Sequence, residues 1–202
     1  MPIDPDRALL PVANLISVPI VLVGKPGAPY RTLPELIAHA KANPGRLNIG
    51  QAGLGGVTHL LAERLAYAAG IRMELIQYRG GTPALMDIMA GNNDLYFSLL
   101  GESLPYIQDG KLRAIAATSP ARLPALPDVP LALEVLPGFT GDVSYGIVVA
   151  AGTSAEWVGF WNRLLGEAMG SAAMQERIRQ LHWVDAFTTP EGYVAEIQAL
   201  RR

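Results

Sequence analysis

Residues 49–61 read IGQAGLGGVTHLL. Leu47 and Ile49 belong to a short apolar strand over 47–50, the glycines at 50, 53, 55 and 56 follow, and a helical pattern runs from about Thr58 to Ala69, stopped by Gly70. Strand, glycine turn and helix together form the unit from which α/β sheets are built. The same unit leaves unpaired N–H groups at a helix start, where a small anion can approach because glycine has no Cβ to hold it off. Two anion motifs fail on inspection. A P-loop needs Lys-Ser/Thr after its last glycine, and here Val57-Thr58 follow Gly56. A dinucleotide fingerprint requires a glycine where Thr58 stands. A carboxylate cradle and a tight βα turn with no ligand both remain open on these residues alone.

The neighbouring segments extend the alternation. NLISVPIVLVGKPG (14–27) predicts one buried strand over 16–24, ended by Pro26-Gly27. Thr32 with Glu35 three residues on has capping-box spacing, and Asn43-Pro44-Gly45 ends the helix that follows. MELIQY (73–78) is a strand, and Thr82-Pro83 opens a helix with proline at its first position, closed by Gly91. DLYFSLL (94–100) and KLRAIAATS (111–119) are strands with a short helix near 104–108 between them, RLPALPDVP (122–130) is a loop, and VSYGIVVAA (143–151) is a buried strand. Helices over 155–169, 172–181 and 190–201 complete the chain, with Ser154, Ser171 and Thr189 as N-caps. The alternation predicts α/β with a largely parallel sheet. Trp157, Phe160, Trp161, Leu164, Leu165 and Ala168 recur at helical spacing and form a core or interface stripe.

Composition narrows the chemistry. Of the 202 residues 50% are apolar and 17% charged, so a folded core is expected. A net charge of −2 gives no basic face for nucleic acid. With no cysteine, disulfides and thiolate metal sites are excluded. No run of about 18 apolar residues suggests a transmembrane helix. The opening MPIDPDRALL has no apolar h-region and does not read as a signal peptide. No cofactor motif is found.

The candidate site residues cluster at two turns. The second, YRGGTPAL (78–85), also joins a strand to a helix start. There Arg79 matches a carboxylate as a fork, or is simply a solvated loop arginine. Both turns would face the carboxyl edge of a parallel sheet, where ligands usually sit. His39, His59 and His182 lack metal-ligand spacing. His59, in the first helical turn, either reaches a ligand or hydrogen-bonds nearby backbone. Asp94 and Glu102 flank a strand, with nothing in the sequence to bring them together as acid and base. No G-x-S-x-G elbow and no H-E-x-x-H are present.

Four stretches carry a family resemblance: 30–60 (YRTLPELIAHAKANPGRLNIGQAGLGGVTHL), 78–97 (YRGGTPALMDIMAGNNDLYF), 109–130 (DGKLRAIAATSPARLPALPDVP) and 146–154 (GIVVAAGTS). Together they resemble the substrate-binding proteins of tripartite tricarboxylate transporters, the Bug family, over nearly the whole chain. The resemblance implies a periplasmic binding protein of type II-like α/β fold, with two lobes closing on a small carboxylate, delivery to membrane permease subunits, and no catalysis. Gly53 and Gly55 fall on the family's A-G-x-G turn beginning at Ala52, and His59 falls on its histidine. Tyr78, Gly80 and Pro83 fall on its Y-K-G-x-x-P turn, with Arg79 in place of lysine. The implied ligand set is therefore Ala52, Gly53, Gly55, Gly56, Thr58, His59, Tyr78, Arg79 and Ser98, with no metal site.

Departures from the family pattern are Gly56-Val57 where a Thr or Ser is usual, Ser98 where an acid or amide is common, and a lone Tyr145 where an aromatic pair is usual. Members also carry roughly 100 further residues ahead of the stretch matching Asp4-Pro5. Residues 17–140 are then expected to form one complete lobe, and 1–16 with 141–202 the C-terminal part of the other. Family resemblance places such a protein in the periplasm; with Met1 as the true start the chain would stay in the cytoplasm. Two further readings are a truncated product acting as an interaction module, self-associating through the first-lobe surface, and an enzyme on the same scaffold.

Overall fold

The computed structural model describes residues 4–199. In chain order the elements are α1 (Pro5–Ala8), β1 (Leu9–Val18), β2 (Ile20–Gly24), α2 (Leu33–Ala42), β3 (Asn48–Gln51), α3 (Val57–Ala69), β4 (Glu74–Gln77), α4 (Gly81–Ala90), β5 (Leu95–Leu99), α5 (Leu100–Gln108), β6 (Arg113–Ala117), β7 (Val143–Ala150), α6 (Ala155–Met169), α7 (Ala172–Gln180), β8 (Val184–Asp185) and α8 (Pro190–Ala199). They form two compact units, Pro19–Val143 and the pair Met1–Val18 with Ser144–Arg202. The single strand expected over 16–24 is two strands, because Pro19 has no N–H for a ladder: β1 ends before it and β2 begins after it, one in each unit.

The unit Pro19–Val143 is a five-stranded sheet in the order β4-β3-β5-β2-β6. β3 runs parallel to β4 and β5, and β2 runs antiparallel to β5 and β6. The sheet is therefore mixed: β2 enters between β5 and β6 against the direction of the other four. Every residue of β2 is buried, as an apolar strand sandwiched on both faces must be. Ile20, Leu22, Ile49, Leu95 and Phe97 pack on one face with Leu33, Leu36, Leu61 and Leu65. Val21, Val23 and Tyr96 pack on the other with Leu85, Ile88, Leu100 and Leu104. α4 lies so close to β3 that a Cβ at Gly50 would stand 3.3 Å from the Ala84 Cβ, and 2.8 Å from Nδ2 of Asn93, which follows the helix.

Caps follow the sequence with two adjustments. The Glu35 N–H donates to Thr32 Oγ1 at 3.4 Å, but the Glu35 carboxylate accepts from the Arg31 N–H rather than from Thr32 itself. α4 starts at Gly81, so Pro83 is its third residue and not its first. Gly70 and Gly91 close α3 and α4 in the left-handed conformation.

The other unit holds a three-stranded sheet, β7-β1-β8, with β1 and β8 antiparallel. Asn162 Nδ2 donates at 2.9 Å to the carbonyls of both Val12 and Thr188, tying α6 to β1 and to the segment before α8. Ser171 and Thr189 act as N-caps, accepting from the N–H groups of Met174 and Gly192; Ser154 makes no capping bond. β7 forms where expected but is not buried: Tyr145, Ile147 and Val148 are exposed. The α6 stripe is likewise not core. Trp157 is 56% exposed, with Phe160, Trp161 and Leu164 open beside it, and Phe160 meets the rings of Trp157 and Trp161 edge to face at 5.5 and 5.6 Å.

Candidate functional site

The carboxyl ends of β3 and β4 lie side by side, and β5, paired with β3 at its start, runs on past them. Gln51 and Gln77 are register partners, and the Tyr78 N–H donates to the Gln51 carbonyl at 2.8 Å. The first glycine turn therefore leaves the sheet next to the second. In the first, Gly55 has φ +76, a conformation that side chains with a Cβ rarely adopt. Three bonds fix its shape. The Gly56 N–H donates to the Gly53 carbonyl at 3.1 Å, the Ala52 N–H to Thr58 Oγ1 at 3.0 Å, and the Gly55 N–H to His59 Nδ1 at 2.9 Å.

These bonds assign roles. Thr58 is buried and its hydroxyl clasps the strand end. His59 Nδ1 accepts a backbone proton, so the ring hydrogen sits on Nε2, 3.7 Å from the Glu63 carboxylate. His59 thus holds the turn. Gly55 and Gly56 have given their N–H groups to the turn's own closure. The donors left over are those of Val57, Thr58 and His59: the first bond of α3 runs from the Leu60 N–H to the Gly56 carbonyl, and the three before it have no intrahelical acceptor. No acid occupies the first turn of α3. Leu54, at the tip, is 81% exposed.

The second turn is built differently. Gly80 has φ +110 and precedes α4. Gly81 has an ordinary backbone conformation, and its missing side chain serves space: a Cβ there would run into the Glu102 carboxylate and come within 3.0 Å of the Tyr96 hydroxyl. α4 has fewer free donors than α3, because Pro83 has no N–H. The Tyr78 hydroxyl donates to Asp87 at 2.8 Å; burial, followed by that bond and the Asp87 charge, pushes its pKa up to about 12. Burial, then the Glu102 charge, raises the Tyr96 phenol as well, and burial raises the Glu102 carboxyl above its ordinary value. Arg79 is exposed, with no ion-pair partner among the described residues.

Ser98 is brought to the same strand end but not to the surface: it is fully buried and its hydroxyl donates to the Leu99 carbonyl at 3.0 Å. Asp94 lies at the opposite edge, where it pairs with Lys25 at 2.7 Å and accepts from the Asn48 N–H. Asp94 and Glu102 stand at the two ends of β5 and make no acid–base pair. Sequence reasoning missed the Gly81–Tyr96–Glu102 cluster. The signal was the second glycine of the 80–81 pair, which no left-handed φ explains. Buried Gln51, whose Oε1 has no hydrogen-bond partner, was also missed. Among the described residues no group of three or more His, Asp or Glu is arranged to hold a metal ion, and no helix is long and apolar enough to cross a membrane. Two recesses of about 460 and 500 Å³ lie away from these turns, in the smaller unit, lined mainly by Leu10, Pro11, Val158 and Val194 or by Leu9, Leu10, Val148 and Ile197. They are mostly apolar and bring together none of the candidate residues.

Comparison with known proteins bears on the whole chain. The model of the family described as "Tripartite tricarboxylate transporter family receptor" matches residues 1–193. Protein BugT of Bordetella pertussis is 31% identical over 192 residues, covering 93% of this chain and 59% of its own length. A structure of R. palustris Rpa4515 with adipate superimposes with a TM-score of 0.87 at 26% identity, over 98% of this chain and 67% of that one. MatC (Rpa3494) of Rhodopseudomonas palustris with bound malate does so with a TM-score of 0.77 at 26% identity, over 88% of this chain and 60% of that one. The chain spans 52–59% of the length of the first four curated relatives it matches. The fold is that of the type II-like periplasmic binding proteins, of which the chain covers part.

Proposed function

This chain belongs to the tripartite tricarboxylate transporter receptor family, and on that premise we propose that it captures a small carboxylate outside the cytoplasm for the membrane permease subunits of such a transporter. The observation that carries the proposal is the start of α3. Three N–H groups point out of a turn already closed by His59 and Thr58, with no acid of its own chain in place. A carboxylate there gains typically 0.3–1 kcal/mol from the helix dipole alone, and more with charge-assisted hydrogen bonds. Ala52, Gly53, Gly55, Gly56, Thr58 and His59 shape this cradle, and Tyr78 and Arg79 border it from the neighbouring turn. Structural relatives named as holding adipate and malate support a carboxylate ligand. Residues 19–143 act as one lobe, and 1–18 with 144–202 as part of the other.

The reading is tested by amide NMR on the chain titrated with malate, adipate and citrate. The N–H signals of Val57, Thr58 and His59 should move with at least one acid, and the acid should be recovered unchanged. No response there removes the proposed cradle; turnover of the acid favours an enzyme. A second reading rests on the exposed Trp157, Phe160, Trp161 and Leu164, which suit self-association. Sedimentation of the wild type against Trp157→Ser/Trp161→Ser decides it: a wild-type monomer overturns it.

A further inference from the structure

We propose that Arg64 and Thr118 carry the filling of the carboxylate cradle at the start of α3 to both points where the chain passes between its two units. The inference rests on the carboxylate reading of the first turn and adds where else in the unit Pro19–Val143 its occupancy is felt.

The chain enters this unit at Pro19 and leaves it after Val143. The approach to the exit, residues 138–141, is held by α3. Arg64 lies about two helical turns beyond the cradle. Its Nη1 donates to the Thr140 carbonyl at 2.6 Å and its Nη2 to the Gly138 carbonyl, while its Cζ stands 4.9 Å from the centre of the Phe139 ring. One side chain thus grips three successive residues. Phe139 is buried and its ring stacks on Phe97 of β5 at 6.3 Å. Nearer the cradle on the same helix, Leu61 packs so closely on Gly141 that a Cβ there would stand 2.8 Å from Leu61 Cδ2. Thr118, fully buried, joins this segment to the entry. Its carbonyl accepts from the Gly141 N–H at 2.9 Å, and its own N–H donates to the Ile20 carbonyl at 3.0 Å. Its hydroxyl lies 3.1 Å from the Ile20 carbonyl and also reaches the Gly141 carbonyl, so one proton serves both crossings.

The links form one connected path. α3 is a continuous helix of 13 residues, and close-packed elements shift as bodies and pass strain to their neighbours. A carboxylate drawn onto the N–H groups of Val57, Thr58 and His59 pulls along the helix axis. Arg64 is anchored in α3 at one end and on two carbonyls at the other, so a shift of α3 is handed to 138–140. From Gly141 it passes through Thr118 to Ile20. A lysine at position 64 would not do the same. Its ammonium is a point charge, without the planar fork that holds two carbonyls at once and stacks on a ring. A side chain that merely tied down the 138–140 loop would leave that loop indifferent to what fills the cradle.

The test is amide NMR of the 202-residue chain and of Arg64→Lys and Thr118→Val, each titrated with malate, adipate and citrate. Circular dichroism confirms that both variants fold. With any acid that moves the Val57–His59 signals, those of Phe139, Thr140, Gly141 and Ile20 should move in the wild type with the same midpoint. Arg64→Lys should keep the Val57–His59 response and cut the response at 139–141 and at Ile20 by about half or more. Thr118→Val keeps the side chain's shape and loses its hydroxyl; the response at 139–141 should persist, and that at Ile20 should fall by about half or more. Silence at 139–141 and Ile20 while Val57–His59 respond overturns the proposal and leaves the carboxylate cradle standing. So does a response at 139–141 that Arg64→Lys leaves intact, or one at Ile20 that Thr118→Val leaves intact. If none of the acids moves the Val57–His59 signals, both readings fall.

Discussion

Two glycine turns leave the same sheet edge, and they differ in what their glycines are for. At the first, Gly55 is needed for its backbone angle; a Cβ there would meet nothing within 4 Å. At the second, Gly81 has an ordinary angle and is needed for the volume it does not fill. The first turn closes on itself and leaves three helix donors without an acceptor; the second already has a carboxylate of the chain beside it. Strand, glycines and helix thus yield an electropositive recess in one case and an electronegative one in the other, according to whether a distant segment supplies an acid.

The largest expected effect removes both turns at once. Gly50 lies beneath them, with Asn93, Tyr78 and Ala84 within 3.3 Å of where its Cβ would be. Gly50→Val should cost about 3 kcal/mol, by overpacking the buried contact with Asn93, Tyr78 and Ala84. Urea denaturation measures it, and a loss below about 1 kcal/mol would mean that α4 is free to move off β3. Next, Gly55→Val should cost about 1–2 kcal/mol from its left-handed backbone and weaken carboxylate binding, while the unit stays folded. Gly81→Ala should cost less than about 1 kcal/mol, because the end of the Glu102 side chain can swing into water. If Gly81→Ala proves more damaging than Gly55→Val, the roles assigned to the two glycines are reversed.

Most of this architecture is legible in the sequence because it is local. Thr32, Gly70 and Gly91 mark helix ends through caps that depend on a few neighbouring residues. What the sequence hides is non-local. Nothing in NLISVPIVLVG says that the residues either side of Pro19 join different sheets, since each half is apolar enough for a buried strand. VSYGIVVAA reads as buried, and the Trp157–Leu164 stripe as core or interface without deciding which, because periodicity reports an apolar face and not the presence of a cover. At the site, the glycines and His59 could be placed on a turn from spacing. The approach of Glu102 to Gly81 spans 21 residues and no period announces it. Ser98 illustrates the reverse: its position on the strand end was readable, while its burial follows from packing against α4 and α5.

A smaller effect separates the turns by pH. The Tyr78 hydroxyl holds Asp87, and its folded pKa of about 12 lies above the ordinary value of 10.0. A phenol raised on folding contributes stability that is fully present below pH 10 and lost as pH rises through about 12. Tyr78→Phe should therefore cost about 0.5–1.5 kcal/mol at neutral pH, the worth of the bond. The cost should shrink over that alkaline window, as followed by thermal unfolding in buffers from neutral to pH 12. A cost that stays constant across the window would detach the bond from the phenol's titration.

The smallest expected effect has the opposite sign, because Glu102 is a carboxylate whose folded pKa is raised by burial. Its neutral form is favoured in the fold, so the stability it contributes is present at acid pH and is lost as pH rises through the raised value. At neutral pH the charged Glu102 therefore opposes folding, and Glu102→Gln should leave the chain slightly more stable there. The gain should fade as the buffer is acidified below the ordinary carboxyl range. Thermal unfolding of the two proteins across that range measures the difference. Destabilisation of Glu102→Gln at neutral pH would show the carboxylate to be a structural anion serving the start of α4. The second turn would then be an acid-filled version of the first, and the contrast between them would lose its functional meaning.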